Sequence, residues 1–392
     1  MKTNFNEILN REGTACVKYD LRKLFFERED VMPLWVADMD FRTPPFILDA
    51  IAKRLQHPIL GYTFREPSFA SSLNQWLYSR HQYQIEDKWV CFSPGIVSAL
   101  VLLIESYTLK GDGILIQTPV YHPFTHVPAH LERKVLTNKL VLHGNQYVID
   151  FEDFEEKAKD SKLFILCNPH NPVGRVWTAA EMEQMAQICQ KYGVLMVSDE
   201  IHSDLILADY KHIPLAMAAP WYADEVISCY APSKTFNIAG LSTSAVVIGN
   251  DSKRRIYEAT LERLHMGMGN LFGGIAFESA YTNGAQWLSE LLEYLNETVH
   301  LVKERISTRL PILKLIEPQA TYMFWVDFRE CGMTDQELRD FLINEAGVGF
   351  NDGFMFGPGG EGFQRINFAC PQQLVLEAFD KVEVALKKKG IV

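Results

Sequence analysis

The chain has no excess of positive charge. It carries 38 Lys and Arg against 49 Asp and Glu, a formal net charge of −11. Phosphate backbones are bound through basic faces, so this balance argues against a nucleic-acid partner. It leaves room for a local cationic pocket that takes a small anion. Cysteine pairs are missing too. The seven cysteines, at positions 16, 91, 167, 189, 229, 331 and 370, form no CxxC and are odd in number. That argues against a disulfide framework or a zinc knuckle and fits a reducing compartment. Long hydrophobic runs are absent. The most apolar stretch, Val97 to Ile104, is far short of the ~20 residues that span a bilayer. The first residues, MKTNFNEILNREG, are polar and hold no apolar signal segment. The expectation is a soluble cytoplasmic protein with no membrane partner. Repeats, low-complexity tracts and flexible linkers are lacking as well.

With 47% hydrophobic residues in 392, the chain can bury a full core. Short apolar runs alternate with helical patterns through its middle. Gly113–Gln117, Leu163–Cys167, Val194–Ser198 and Val226–Tyr230 read as buried strands. Continuous apolar strands separated by helices predict a mainly parallel sheet covered on both faces. Between two of them, Thr178 and Glu181 form a capping box for a helix that runs to Tyr192 and closes at Gly193. Residues 283 to 310 predict a long helix. Beyond it lie a strand over Thr321–Phe328, a second capping box at Thr334 and Glu337 whose helix Gly347 can close, a half-buried alternating strand over Phe363–Phe368, and a terminal helix with Pro371 at N1. The expected division is an N-terminal arm (1–45), a large α/β domain (46–285) and a small α+β domain (286–392) that the arm joins.

Three segments carry more than packing. Lys234 lies in APSKTFNIAGL (231–241), directly after a predicted strand. Asp199 lies in SDEIHSD (198–204) at the end of another, and Asn171 in NPHNPVG (168–174) after a third. Each alone has a bland reading: an exposed loop lysine, a helix N-cap, a pair of Asn-Pro turns. Together they sit where open α/β sheets bind ligands, beyond the carboxyl ends of strands. A lysine that can form a Schiff base, a carboxylate that can keep a pyridine nitrogen protonated, and an amide that can bond a phenolic oxygen are what pyridoxal phosphate requires.

These segments resemble the fold-type I pyridoxal-phosphate enzymes of the class I/II aminotransferase superfamily. More narrowly, PLWVADMDF (33–41), SDEIHSD, SKTFNIAGL and RINFACP (365–371) look like the MalY/PatB group of cystathionine β-lyase-type C–S lyases. The resemblance runs in order from about residue 2 to the C-terminus. It implies a large domain with a seven-stranded-type sheet, and pyridoxal 5′-phosphate as cofactor. The implied reaction is α,β-elimination, which cleaves L-cystathionine or related cysteine conjugates to a thiol, pyruvate and ammonia. It also implies roles. Lys234 matches the Schiff-base lysine, Asp199 the partner of the pyridine nitrogen, Asn171 the partner of the ring oxygen, and Tyr121 the aromatic stacked on the ring, with a share in proton transfer. The Gly95, Ile96 and Val97 amides match a phosphate cradle at a helix N-terminus. Tyr62 matches a tyrosine that reaches the phosphate of a neighbouring subunit, so a homodimer is expected. Arg365 matches the grip on the substrate α-carboxylate, and Trp35, Val36 and Ala37 the substrate-site lining.

Against the wider superfamily, Ala231, His202 and Ser242 stand where Ser, Tyr and a phosphate-binding Arg are common. These changes favour the lyase branch and leave Ser233, Ser242 and backbone to hold much of the phosphate, with His202 beside the cofactor. Transamination to a 2-oxo acid uses the same lysine, aspartate and arginine and is the alternative reading. A catalytically silent regulatory protein is the second. A nucleotide-binding oxidoreductase is excluded, because no GxGxxG follows a strand. His122, His126 and His130 have helical spacing, but Pro123 and Pro128 interrupt them and no metal site is expected. Asp38 and Asp40 read as turn formers, Phe354 to Gly360 as a loop that can rim the site, and the cysteines as buried apolar residues.

Overall fold

A computed structural model describes residues 3–392. Its centre is a seven-stranded sheet. In chain order the strands are β1 (Val90–Ser93), β2 (Gly113–Thr118), β3 (Lys134–Lys139), β4 (Ser161–Cys167), β5 (Leu195–Asp199), β6 (Val226–Tyr230) and β7 (Ser244–Ile248). They lie side by side as β1-β7-β6-β5-β4-β2-β3, and only β7 is antiparallel to its neighbours. The continuous apolar runs arise because both faces are covered. Ile114, Ile116, Leu163, Ile165, Val197 and Ile227 turn to one face, packed with Leu100 and Leu103 of helix Ile96–Tyr107. Leu115, Phe164, Leu166 and Met196 turn to the other, packed with Met182 and Met185 of helix Ala179–Tyr192. That helix has the Thr178–Glu181 capping box and ends at Gly193 in the left-handed conformation. The box satisfies N-terminal amide donors, and Gly193 adopts a positive φ without the Cβ cost other residues bear.

A second, four-stranded sheet is built from β8 (Lys314–Leu315), β9 (Met323–Asp327), β10 (Asn351–Asp352) and β11 (Phe363–Asn367), in the order β8-β9-β11-β10. Helix Ala285–Arg309, over the predicted long helix, and helix Gln372–Lys389 cover it through one apolar core. The N-terminal arm joins this part of the molecule, since Met32–Pro33 pairs in parallel with Val348–Gly349. Two local expectations need correction. β11 is buried along its whole length rather than half-buried: its polar residues face protein on both sides. Pro371 is the N-cap rather than the first residue of the last helix. The helix opened by the Thr334–Glu337 box runs to Asp340, widens into a π-helix over Phe341–Ala346 and is closed by Gly347. No helix among the described residues is long and apolar enough to cross a membrane.

Candidate active site

Strand register sets the site. Cys167, Asp199 and Cys229 are neighbours across β4, β5 and β6, so the three chemistry-bearing segments leave the sheet side by side. Six of the seven strands point the same way. β1 and β2 therefore end at the same edge and deliver Gly95 and Tyr121 to it. Between these ends lies a cavity of about 270 Å³. Its walls include Lys234, Asp199, Asn171, Tyr121, His202 and Ser233, with Gly95, Ile96 and Val97 at one end and Ala37 at another. The volume falls just below the roughly 300–1,000 Å³ typical of pockets for drug-sized ligands, the scale of a single substituted ring.

Lys234 is the most chemically informative residue. Its Nζ donates to the backbone oxygen of Ala37 at 2.7 Å. Burial, with the Arg365 cation nearby, draws the amine down to about 8, against the opposing pull of Asp38 and Asp199. Asp199 is buried at the sheet edge. Its Oδ1 accepts from the Ile201 amide at 3.1 Å, and Oδ2 has no protein donor among the described residues. Burial pushes this carboxyl up to about 7, the Ile201 bond working against it. A cation placed against Oδ2 would restore the carboxylate. Burial holds His202 neutral, down to about 3, with Lys234 and Arg365 adding to the effect, and its Nδ1 is buried without a partner. Gly95 is the N-cap of helix Ile96–Tyr107, and no side chain caps that end. Gly95, Ile96, Val97 and Ser98 at this end line the cavity, and an uncapped helix N-terminus is suited to an anion. Ser242, in the left-handed conformation at φ 45°, and Thr243 also line the cavity.

Arg365 is a buried cation whose hydrogen-bond partners are all neutral oxygens. Its guanidinium donates to Asn171 Oδ1 (3.2 Å), Trp35 O (3.0 Å) and Asn351 Oδ1 (2.6 Å), and it lies over the Phe356 ring at 4.8 Å. Its Nε is buried without a partner. Burial lowers the group to about 10. A buried cation without a carboxylate neighbour is set to take an anion from outside. The bond from Arg365 occupies Asn171 Oδ1 and leaves the amide nitrogen for a ligand.

The segment Trp35–Phe41 belongs to no helix or strand, and side chains from β11 and from the loop after β6 hold it. Asn367 Nδ2 donates to Val36 O (2.6 Å) and Asp38 O (2.5 Å). Asn237 bonds Met39 N and O and Phe41 O. Ala37 reaches the cavity. The Trp35 and Val36 side chains turn instead into an apolar cluster with Phe26, Val31 and Ile343, so these two residues meet the site only through their carbonyls. Asp38 and Asp40 are not simple turn formers. They share the cations of Arg11 and the fully buried Lys18. Phe354 to Gly360 contributes Phe356 beneath Arg365. The rings of His122, His126 and His130 follow one another along helix Pro123–His130. Among the described residues no three His, Cys, Asp or Glu side chains converge to hold a metal.

Tyr62 lies outside the cavity of its own chain, 94% exposed, in a stretch that also exposes Ile59, Leu60 and Phe64. Sequence reasoning overlooked Asn237, Asn367, Asn351 and Tyr322. The first two sit three residues after Lys234 and two after Arg365, and that proximity was the available signal.

The family model for aminotransferase class I and II matches residues 29–382. Cystathionine beta-lyase PatB of Bacillus subtilis (strain 168) is 40% identical over 385 residues, 98% of this chain and 100% of that protein. Among solved structures, cystalysin from Treponema denticola, which contains a pyridoxal 5′-phosphate cofactor, superposes with a TM-score of 0.96 at 34% identity, covering 99% of this chain and 100% of that one. The PLP-bound C–S lyase from Staphylococcus hominis gives 0.92 at 34% identity, covering 98% of each chain.

Proposed function

The chain belongs to the aminotransferase class I and II family, and from that premise we propose that it is a pyridoxal-phosphate-dependent carbon–sulfur β-lyase. Its substrates are L-cystathionine or related cysteine conjugates, cleaved to a thiol, pyruvate and ammonia. The observation that carries this reading is the buried Lys234 amine, drawn down to about 8, in one cavity with the unpartnered Asp199 Oδ2 and an uncapped helix N-terminus. When bound, pyridoxal phosphate supplies an aldehyde that takes up amines and a ring that accepts electrons from the substrate α-carbon.

The residues present fit that group. The Gly95, Ile96 and Val97 amides, with Ser233 and Ser242, would hold its phosphate without an arginine. Asp199 Oδ2 would face the ring nitrogen and favour its protonated form, the Asn171 amide nitrogen would donate to the ring oxygen, and Tyr121 would cover the ring. Lys234 would anchor the group through its amine and, when that amine is free, would take the α-proton. An amine titrating near neutrality suits that work. Arg365 would fix the substrate carboxylate while the sulfur leaves the β-carbon.

Support for a homodimer comes from Tyr62. A tyrosine 94% exposed within an apolar exposed stretch suits the role of completing a neighbour's site. The seven cysteines are all free, which suits a cytoplasmic setting. The test is a visible spectrum of the purified protein before and after L-cystathionine, with pyruvate assayed in the same sample. The expected result is a cofactor band absent in Lys234→Ala, and pyruvate release by the wild type. Turnover only when an oxo acid is added would move the protein to the transaminases. No band after incubation with the cofactor would refute the reading altogether.

A further inference from the structure

Thr321 is fully buried and stands at φ 71°. Other non-glycine residues with positive φ occur among the described residues, but none of them is β-branched. A β-branched side chain rarely adopts this conformation, and where it does the cost must be met by the surroundings. Here the Thr321 amide donates to Leu205 O at 2.7 Å, and its Oγ1 accepts from the Met323 amide at 3.1 Å. The turn is therefore held from both sides.

The residue this strained turn aims is Tyr322. Its ring is buried, edge-on to His202 at 6.2 Å. Its hydroxyl donates to the backbone oxygen of Ala37 at 3.0 Å, the same oxygen that accepts from Lys234 Nζ at 2.7 Å. Asn367 fixes that oxygen by holding the carbonyls on either side of it. We propose that Tyr322 is a positioning residue for Lys234. By sharing the Ala37 carbonyl, its hydroxyl limits that carbonyl's grip on the protonated amine, so the lysine stands ready as a neutral base.

The physical basis is acceptor competition. A carbonyl oxygen has two lone pairs, and one occupied by a phenol leaves the oxygen less able to stabilise an ammonium. The other groups facing the Lys234 amine are the Arg365 cation on β11, the Asp38 carboxylate in the 35–41 segment, Asp199 on β5, neutral His202 and Tyr121. Removing the Tyr322 hydroxyl leaves every one of them in place. The proposal rests on Lys234 taking the α-proton, a step that elimination and transamination share.

The experiment is Tyr322→Phe in the cofactor-loaded enzyme. The rate at which substrate α-hydrogen exchanges with deuterated solvent is followed by proton NMR from neutral to alkaline pH, with cofactor absorbance and Tm measured on the same preparations. The ascending limb of the profile is expected to move up by about half to one pH unit. At neutral pH the rate is expected to fall about 3- to 10-fold with KM changed less than about 2-fold, and the cofactor band retained. An unmoved limb in a fully loaded, stable variant overturns the proposal. If the phenylalanine variant loads poorly, Tyr322→Leu, which removes the same hydroxyl with a different apolar side chain, is expected to give the same alkaline displacement in its loaded fraction, and no displacement there also overturns it. The wild type reports separately on function: exchange without pyruvate would refute the lyase reading and leave the Tyr322 test intact.

Discussion

Replacing Lys18 by methionine is expected to destabilise the protein by about 2–4 kcal/mol. Lys18 is 0% exposed, with its Nζ 2.7 Å from Asp40 Oδ2 and 4.0 Å from Asp38 Oδ1. Methionine keeps most of the stem and removes the charge, so the change isolates electrostatics from packing. Breaking a buried ion pair from one side costs roughly 3–5 kcal/mol, because the remaining charge loses its partner and cannot recover water. Arg11 tempers that here. It bonds both carboxylates at 2.6 Å and is itself 22% exposed, so one cation remains for the two anions. The assay is urea unfolding at one fixed protein concentration, comparing midpoints at unchanged slope. The double variant Lys18→Met with Asp40→Asn should recover at least about 1 kcal/mol relative to the sum of the single changes. A single-variant loss below about 1 kcal/mol, or strict additivity in the double, would show that the cluster does not work as a coupled unit and would refute this reasoning.

Arg365→Lys should lower kcat/KM on the order of 100-fold, mostly through KM, because a point cation replaces the planar fork that lies over Phe356; steady-state kinetics check this, and a loss under about 3-fold would count against the carboxylate role. Mixing equal amounts of Lys234→Ala and a Tyr62 variant, both inactive alone, should restore about a quarter of wild-type activity, since half the dimers would be hybrids with one intact site each; no recovery after verified subunit exchange would refute the shared site. Stability should fall as pH drops from about 6.5 towards 4. Burial holds His81, His122, His170 and His202 down to about 2, 4, 4 and 3, so the unfolded chain takes up protons that the folded chain refuses. Asp199, pushed up to about 7, and Asp204, raised by burial, work the other way. The net uptake of about two protons on unfolding gives a slope of roughly 3 kcal/mol per pH unit, checked by urea midpoints across that range. Thr178→Ala removes the capping box of helix Ala179–Tyr192 and should cost about 1 kcal/mol in the same unfolding assay.

Much of this was legible in the sequence because it is local. β2, β4, β5 and β6 announced themselves as unbroken apolar runs, since helices cover both faces of their sheet. Both capping boxes are four-residue patterns whose bonds close within one turn. Lys234, Asp199 and Asn171 stood out by their place just after strands. What was not legible depends on long-range encounters. Asp38 and Asp40 resembled turn residues because their cations come from Arg11 and Lys18, twenty or more positions upstream, with no periodicity to signal them. β11 alternates polar and apolar, which normally marks a solvent face. Here Arg365 turns to Asn171, Asn367 to the 35–41 segment and Gln364 to Asp352, so the polar positions are buried against protein partners rather than exposed. Tyr322 sits in a strand pattern where an aromatic needs no explanation, and its hydroxyl partner lies 285 residues away.

The 35–41 segment also acts as a ruler. Arg365 binds the carbonyl of Trp35 and Lys234 binds that of Ala37. Two residues of chain span at most about 7 Å; here the stretch is bent, the Asp38 amide donating to Val36 O at 2.9 Å, and Asn367 holds the Val36 and Asp38 carbonyls on either side of Ala37. In the proposed function the carboxylate grip and the base are thus graduated against a piece of backbone, not against each other through the substrate. Such a gauge measures the one dimension that all α-amino acids share and is blind to the side chain. Amino acids with the amine on a more distant carbon would be rejected by length alone. The choice among sulfur side chains is left to the loops at the rim, which can change without disturbing the scale.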